Sequence, residues 1–209
     1  SGQYDMPFLT LHNKAEGAVE FTNLLFLPSQ KPFDLFDPER KTKVQLYVNR
    51  VFITDELKDL IPEWLRFVRG IIDTASLDLN VSREMLQHNA TLLKIRKAVT
   101  KRVLSELAKK VKKDPQAYEA FWANFGRVLK EGIYEDADNR DHILKICRFY
   151  SLKQDEMISL EDYIDAMPQT QDDIYYLASD SVKAAKRSPH IEGFAERDID
   201  VLLMTDPIY

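Results

Sequence analysis

The densest group of chemically capable residues is the run SLDLNVSREMLQHN, Ser76 to Asn89. Asn80 and Ser82 are cap-type residues directly ahead of an Arg-Glu pair and the helical stretch Met85-Leu86-Gln87. Arg83, on a loop at a helix start, is held by its backbone and offers a planar, permanently charged fork to a phosphate or a carboxylate. Gln87, one turn on, lies on the same side and adds a neutral amide. The bland alternative is an ion pair between Arg83 and a nearby carboxylate, and spacing alone favours it. Other catalytic equipment is sparse. The glycines at 2, 17, 70, 126, 132 and 193 are scattered, so neither a dinucleotide loop nor a phosphate loop can be written. His12, His88, His142 and His190 lie far apart. His142 and Cys147 are separated by about 140° around a helix axis and cannot chelate one ion together, so no metal site is predicted. There is no Gly-x-Ser-x-Gly elbow. As an independent enzyme the chain has little to work with.

The elements that position this segment follow from pattern. With 209 residues, 44% of them hydrophobic, the chain is long enough for a real core in one large domain or two or three small ones. A single cysteine excludes an internal disulfide framework and points to a reducing compartment, the cytoplasm. No apolar run approaches the ~20 residues of a membrane span, and a soluble globular protein is predicted. AVEFTNLLFL, 18–27, reads as a strand that stops at Pro28. The loop PSQKPFDLFDPERK is predicted as a long hairpin-type excursion, followed by one half-buried strand, KVQLYVNRVFI, over 43–53. Pro62 opens a short helical turn and 66–73 is a further strand. The first eighty residues are therefore mainly β.

Composition changes after Asn80. Leu92, Ile95, Val99, Val103, Leu107 and Val111 form one stripe of a long amphipathic helix with Asn89 as its N-cap. Asp114-Pro115 stops that helix and starts the next. The second helix carries the aromatic face Tyr118, Phe121, Trp122 and Phe125, with Val128 and Leu129, and ends near Gly132. A third helix is predicted from Arg140 to Tyr150. Ser159 to Asp162 is a capping box opening a short helix. The segments 173–179 and 199–205 then read as strands joined through helical turns broken near Pro189, a βαβ unit.

Residues 83–113 hold ten Lys/Arg and two Asp/Glu, although the whole chain carries −5. A basic helix invites a nucleic-acid reading. These cations can all occupy the solvated face opposite the apolar stripe, and no interleaved aromatics stand there to stack bases. A solvated or protein-facing helix is favoured over nucleic acid.

The runs KVQLYVNRVFITDE, LIPEWLRFVRGIIDTASLDLNVSREMLQHN and GIYEDADNRD, with AVEFTNLLFLPSQKPFDLFD and DIYYLASDSVKAA, stand in order along the chain. Together they resemble the middle domain of the heat shock protein 90 chaperone family, the bacterial high-temperature protein G type nearest. The resemblance covers essentially the whole sequence and implies a mixed α/β fold in three parts. These are a larger α/β sandwich subdomain (1–88), a helical connector (89–155) and a smaller α/β subdomain (156–209). The family's ATP-binding and C-terminal dimerisation domains are expected to lie outside this chain.

By the same resemblance, the arginine of Ser-Arg-Glu-Met-Leu-Gln reaches the ATP γ-phosphate, which carries over to Arg83, and the motif's glutamine carries over to Gln87. Phe52, in Val-Phe-Ile-Thr, matches an apolar contact to the ATP domain; the alternative is that it is core. Trp64 in IPEWL is expected to pack. ATP, with Mg2+, is held mainly by the N-terminal domain, so the fragment alone is expected to be inactive as an ATPase. The implied partners are that domain, unfolded or partly folded client proteins and co-chaperones, with no membrane. The parent is a homodimer and the fragment is expected to be a monomer. The competing reading is a stand-alone binding module using the basic helix 94–113 for nucleic acid or an acidic partner.

Overall fold

Alternation of apolar and polar residues along FTNLLFL and KVQLYV puts one face of each segment in the core, and these segments organise the first sheet. The computed structural model describes residues 6–57, 60–79, 83–86 and 89–207. The chain divides into two units, 1–125 and 126–209. The fold is mixed α/β with two sheets, as expected.

In the first unit the strands are β1 (Leu9–Ala15), β2 (Phe21–Leu27), β3 (Lys43–Val48), β4 (Val51–Thr54) and β5 (Arg69–Thr74). They run in the order β1-β2-β5-β3-β4. β5 sits at the centre, antiparallel to β2 and parallel to β3. Two sequence expectations are corrected here. The segment 43–53 is a hairpin, not one strand: Asn49 and Arg50 take φ of 49° and 66°, the left-handed pair that a tight two-residue turn demands. The loop 28–41 is not a hairpin excursion either, because β5 intervenes between β2 and β3.

Gly70 lets β2 and β5 meet. Its φ is +132°, and a Cβ there would lie 2.1 Å from the Leu24 carbonyl oxygen. A 3-10 turn, Glu63–Leu65, follows Pro62 and buries Trp64. After it come α1 (Arg83–Leu86), α2 (Ala90–Lys113) and α3 (Pro115–Glu135). The caps fall where the sequence placed them. Asn89 Oδ1 accepts from the Thr91 and Leu92 amides, and Asp114 Oδ1 accepts from the Ala117 amide at 3.3 Å. Of the α2 stripe, Leu92, Ile95, Val99, Val103 and Leu107 are buried. The aromatic face of α3 is core: Phe121 stacks on Phe8 at 4.3 Å, and Phe125 packs on Phe67 at 4.7 Å. Gly132 lies inside α3, which continues to Glu135.

In the second unit α4 spans Arg140–Ile146, shorter than expected. Cys147 leaves the helix with extended backbone, and Phe149–Ser151 becomes strand β6. The remaining elements are β7 (Met157–Ile158), α5 (Leu160–Asp165), β8 (Tyr176–Ala178), α6 (Val182–Ala185), α7 (Glu192–Ala195) and β9 (Leu202–Met204). The sheet order is β7-β6-β9-β8. β8 and β9 are parallel and joined through α6 and α7, the expected βαβ unit. The capping box at Ser159 and Asp162 is complete. Ala185, Ile191, Val201 and Leu203 form this unit's small core.

Candidate functional site

The candidate segment leaves the sheet at the end of β5, where side chains staple it. Thr74 Oγ1 donates to the Glu20 carbonyl at 2.7 Å and accepts from the Ser76 amide at 3.1 Å. Ser76 Oγ accepts from the Glu20 amide at 3.0 Å. The loop is thus tied to the start of β2 before it reaches α1, whose first residue is Arg83. Leu86 is buried at 1% exposure and pins this single turn, while Met85 is 62% exposed and Glu84 faces water. The Asn89 amide then bonds the Leu86 carbonyl at 3.3 Å before Asn89 caps α2. The turn thus has one buried anchor and lies between a loop tied at Ser76 and a helix capped by Asn89. Ser76, Leu77, Leu79, Met85 and Thr91 line an open depression beside it. The side chain of Arg83 and the whole of Gln87 lie outside the described residues.

Phe52 is on β4, the edge strand, and is 49% exposed. Its ring meets Tyr47 edge-on with centroids 5.6 Å apart. Val51 beside it is 50% exposed. Phe52 is therefore not a core residue. Trp64 is, at 1% exposure. The turn leading to Phe52 is held by the end of β5 as well: the Asn49 amide bonds the Thr74 carbonyl at 3.2 Å and the Arg50 amide bonds Asp73 Oδ1 at 3.1 Å. One strand end therefore anchors both the loop to Arg83 and the turn to Phe52.

Cys147 is fully buried, and burial pushes its thiol up to about 12, so it carries no thiolate chemistry. His142 is exposed on α4, the helix that ends just before Cys147. Among the described residues no three His, Cys, Asp or Glu side chains gather as a metal site. No helix among them is long and apolar enough to cross a membrane. On α2, Arg102 and Lys109 both pair with Glu106, so part of the basic face is internally compensated. Sequence reasoning missed the cluster of Asp34, Arg40 and Lys43, whose only signal was a mixed-charge run inside a proline-rich loop.

The fold and the segment after β5 define a middle-domain architecture that comparison with known proteins bears out. The family model for Hsp90 protein matches residues 1–209, and the chain belongs to that family. It is 54% identical over 208 residues to the chaperone protein HtpG of Roseobacter denitrificans, covering 100% of this chain and 34% of that relative. The HtpG of Paramagnetospirillum magneticum is 54% identical over 205 residues, covering 98% and 33%. Among solved structures, the middle domain of a Plasmodium falciparum heat shock protein matches with a TM-score of 0.83 at 32% identity, covering 98% of this chain and 80% of that one. The chain thus spans about a third of the length of the curated relatives it matches.

Proposed function

We propose that this chain is the middle segment of an ATP-dependent molecular chaperone and completes the ATPase site of the N-terminal domain through Arg83. Its three-part organisation, 1–88, 89–155 and 156–209, belongs to the same proposal. The observation that carries it is Arg83 as the first residue of a one-turn helix between the tied loop at Ser76 and the helix capped by Asn89, in a chain that matches the Hsp90 family end to end.

ATP, held with Mg2+ by the N-terminal domain, supplies the phosphoryl group to be cleaved. The guanidinium of Arg83 stabilises negative charge that grows on that group, and a fixed donor in a water-poor site does so without reorganising. Gln87, one turn on, supplies a neutral amide to the same site. Phe52 supports docking: a half-exposed aromatic beside an exposed valine is an apolar contact waiting for a partner, here the ATP domain. Client proteins, unfolded or partly folded, bind on exposed surface, co-chaperones act on the assembled dimer, and the protein works in the cytoplasm. The 209-residue chain by itself is a monomer and does not turn over ATP.

Arg83→Ala in the full-length parent is the test. We expect turnover to fall by roughly 10² or more at near-normal ATP affinity, the signature of a group that acts on the transition state. Unchanged turnover would leave Arg83 an ion-pair residue. Phe52→Ala is expected to lower turnover less, and adding the separate N-terminal domain at rising concentration should restore wild-type-like rates to that variant but not to Arg83→Ala.

A further inference from the structure

The loop between β2 and β3 holds a charged group that the chaperone reading does not use. Arg40 lies near its end with a side chain only 3% exposed. Its Nη1 donates to Asp34 Oδ1 at 2.6 Å, and Asp34 Oδ2 accepts from Lys43 Nζ at 2.9 Å. One carboxylate therefore answers two cations. Arg40 Nε and Nη2 are buried and meet no acceptor. These two nitrogens are neighbours on one edge of the guanidinium plane. That edge grips two oxygens of a single oxyanion side-on.

The pocket around it carries four cationic side chains and two carboxylates. Burial lowers the Arg40 pKa; Asp34 opposes that shift, while Arg69 and Arg66 add to it as like charges. Arg40 lines a pocket of about 200 Å³ together with Lys41, Lys43 and Arg66, with Phe36 and the carboxylates Asp37 and Glu63 on the same lining; Lys41 also pairs with Glu56 at 3.5 Å across exposed surface. Arg66 is fixed in that wall: Nε donates to the Leu35 carbonyl at 2.8 Å, Nη1 donates to the Glu63 carbonyl at 3.0 Å, and the guanidinium lies 5.4 Å from the Phe36 ring centre. A pocket of this size has room for a tetrahedral anion with waters, each water taking about 30 Å³.

We propose that this pocket is an oxyanion site of the phosphate class, in which the Nε–Nη2 edge of Arg40 holds two oxygens and Lys41 and Lys43 supply charge. Asp34 keeps the cations together until the anion arrives. Because the two nitrogens lie beneath the surface, entry requires a local shift of the pocket wall. The site stands whether or not Arg83 is catalytic.

The test is a titration of the 209-residue chain with inorganic phosphate, with chloride holding ionic strength constant, followed by amide NMR and calorimetry. Saturable binding is expected, with shifts confined to residues 34–43 and 61–68. Arg40→Gln should weaken it by about tenfold or more. Arg40→Lys keeps the charge and loses the fork, and should weaken it similarly. A phosphate monoester that binds in the same place identifies a phosphorylated ligand, whereas exclusion of the monoester identifies the free anion. Three results overturn the proposal: no saturation by phosphate, shifts mapping elsewhere in the wild-type chain, or acetate binding more tightly than phosphate. The shift map needs no variant, so it decides the question even if Arg40→Gln fails to fold.

Discussion

The two sheets of this chain solve the same problem by different means. The first is built of strands of four to seven residues. It stands on apolar burial: Leu25, Leu27, Leu46, Val48 and Ile72 are all at 0% exposure, and Phe67, Phe121 and Phe125 pack on one another in the same unit. The second sheet has strands of two or three residues, too short to hold by ladder bonds and side-chain area alone. Polar junctions do the holding there. The Tyr163 hydroxyl donates to the Asp200 carbonyl at 2.8 Å and accepts from Gln171 Nε2 at 3.0 Å and the Tyr175 amide at 3.1 Å. The Asp200 carboxylate accepts from Ser151 Oγ at 2.5 Å and from the Lys153 and Val201 amides at 3.0 and 2.8 Å. Area stabilises a long sheet; a short one needs satisfied hydrogen bonds, each costly to leave unmade.

The comparison can be broken most forcefully at Gly70. Gly70→Ala should destabilise by about 4 kcal/mol or more, since the new Cβ collides with backbone and the φ is hostile to any L side chain. Hydrogen exchange should lose protection first across β2 and β5; a variant with wild-type protection there would refute the close approach. In the second unit, Tyr163→Phe removes one oxygen that three groups bond, of which Gln171 Nε2 keeps the Asp173 carbonyl as a second partner, and a loss of about 2 kcal/mol is expected in denaturant melts. If Tyr163→Phe cost less than a few tenths, the second sheet would be resting on area after all. Smaller still is the capping box. Ser159→Ala should cost about 1 kcal/mol at neutral pH.

That last effect has a pH dependence of definite sign. The Ser159 hydroxyl, followed by the Ser159 amide, holds the Asp162 carboxyl below its ordinary 3.8. A depressed carboxyl contributes stability that is full above its unfolded value and is lost as pH falls through the lower folded value. The gap between wild type and Ser159→Ala should therefore narrow below about pH 4. A gap that widens in acid would show that the carboxylate is not the partner.

Where sequence pattern succeeded, one face was consistently buried. The α2 stripe, the α3 aromatic face, β2 and the two helix caps were all legible because period and cap chemistry agree there. β1 was not, because LTLHNKA buries only Leu11 and spends its other positions on an edge. The β3–β4 hairpin was read through, since its turn is Asn-Arg and lacks the glycine that usually marks such a turn. β6 was absorbed into the preceding helix because Ile143, Leu144, Ile146, Cys147 and Phe149 are apolar in either conformation, and only the backbone at Cys147 breaks the run. Of the candidate site, the cap at Asn89 and the helix start at Arg83 could be read locally. The exposure of Phe52 could not, because it depends on β4 having no strand beyond it.

The burial of Cys147 has a practical consequence for labelling. The chain has one cysteine, and its thiol is shielded and pushed up to about 12. A maleimide dye or nitroxide applied to the folded protein near neutrality will find almost no native thiolate to react with. A cysteine introduced at an exposed position such as Tyr134 or Tyr176 would then carry the reporter alone, so single-site fluorescence needs no cysteine-free background.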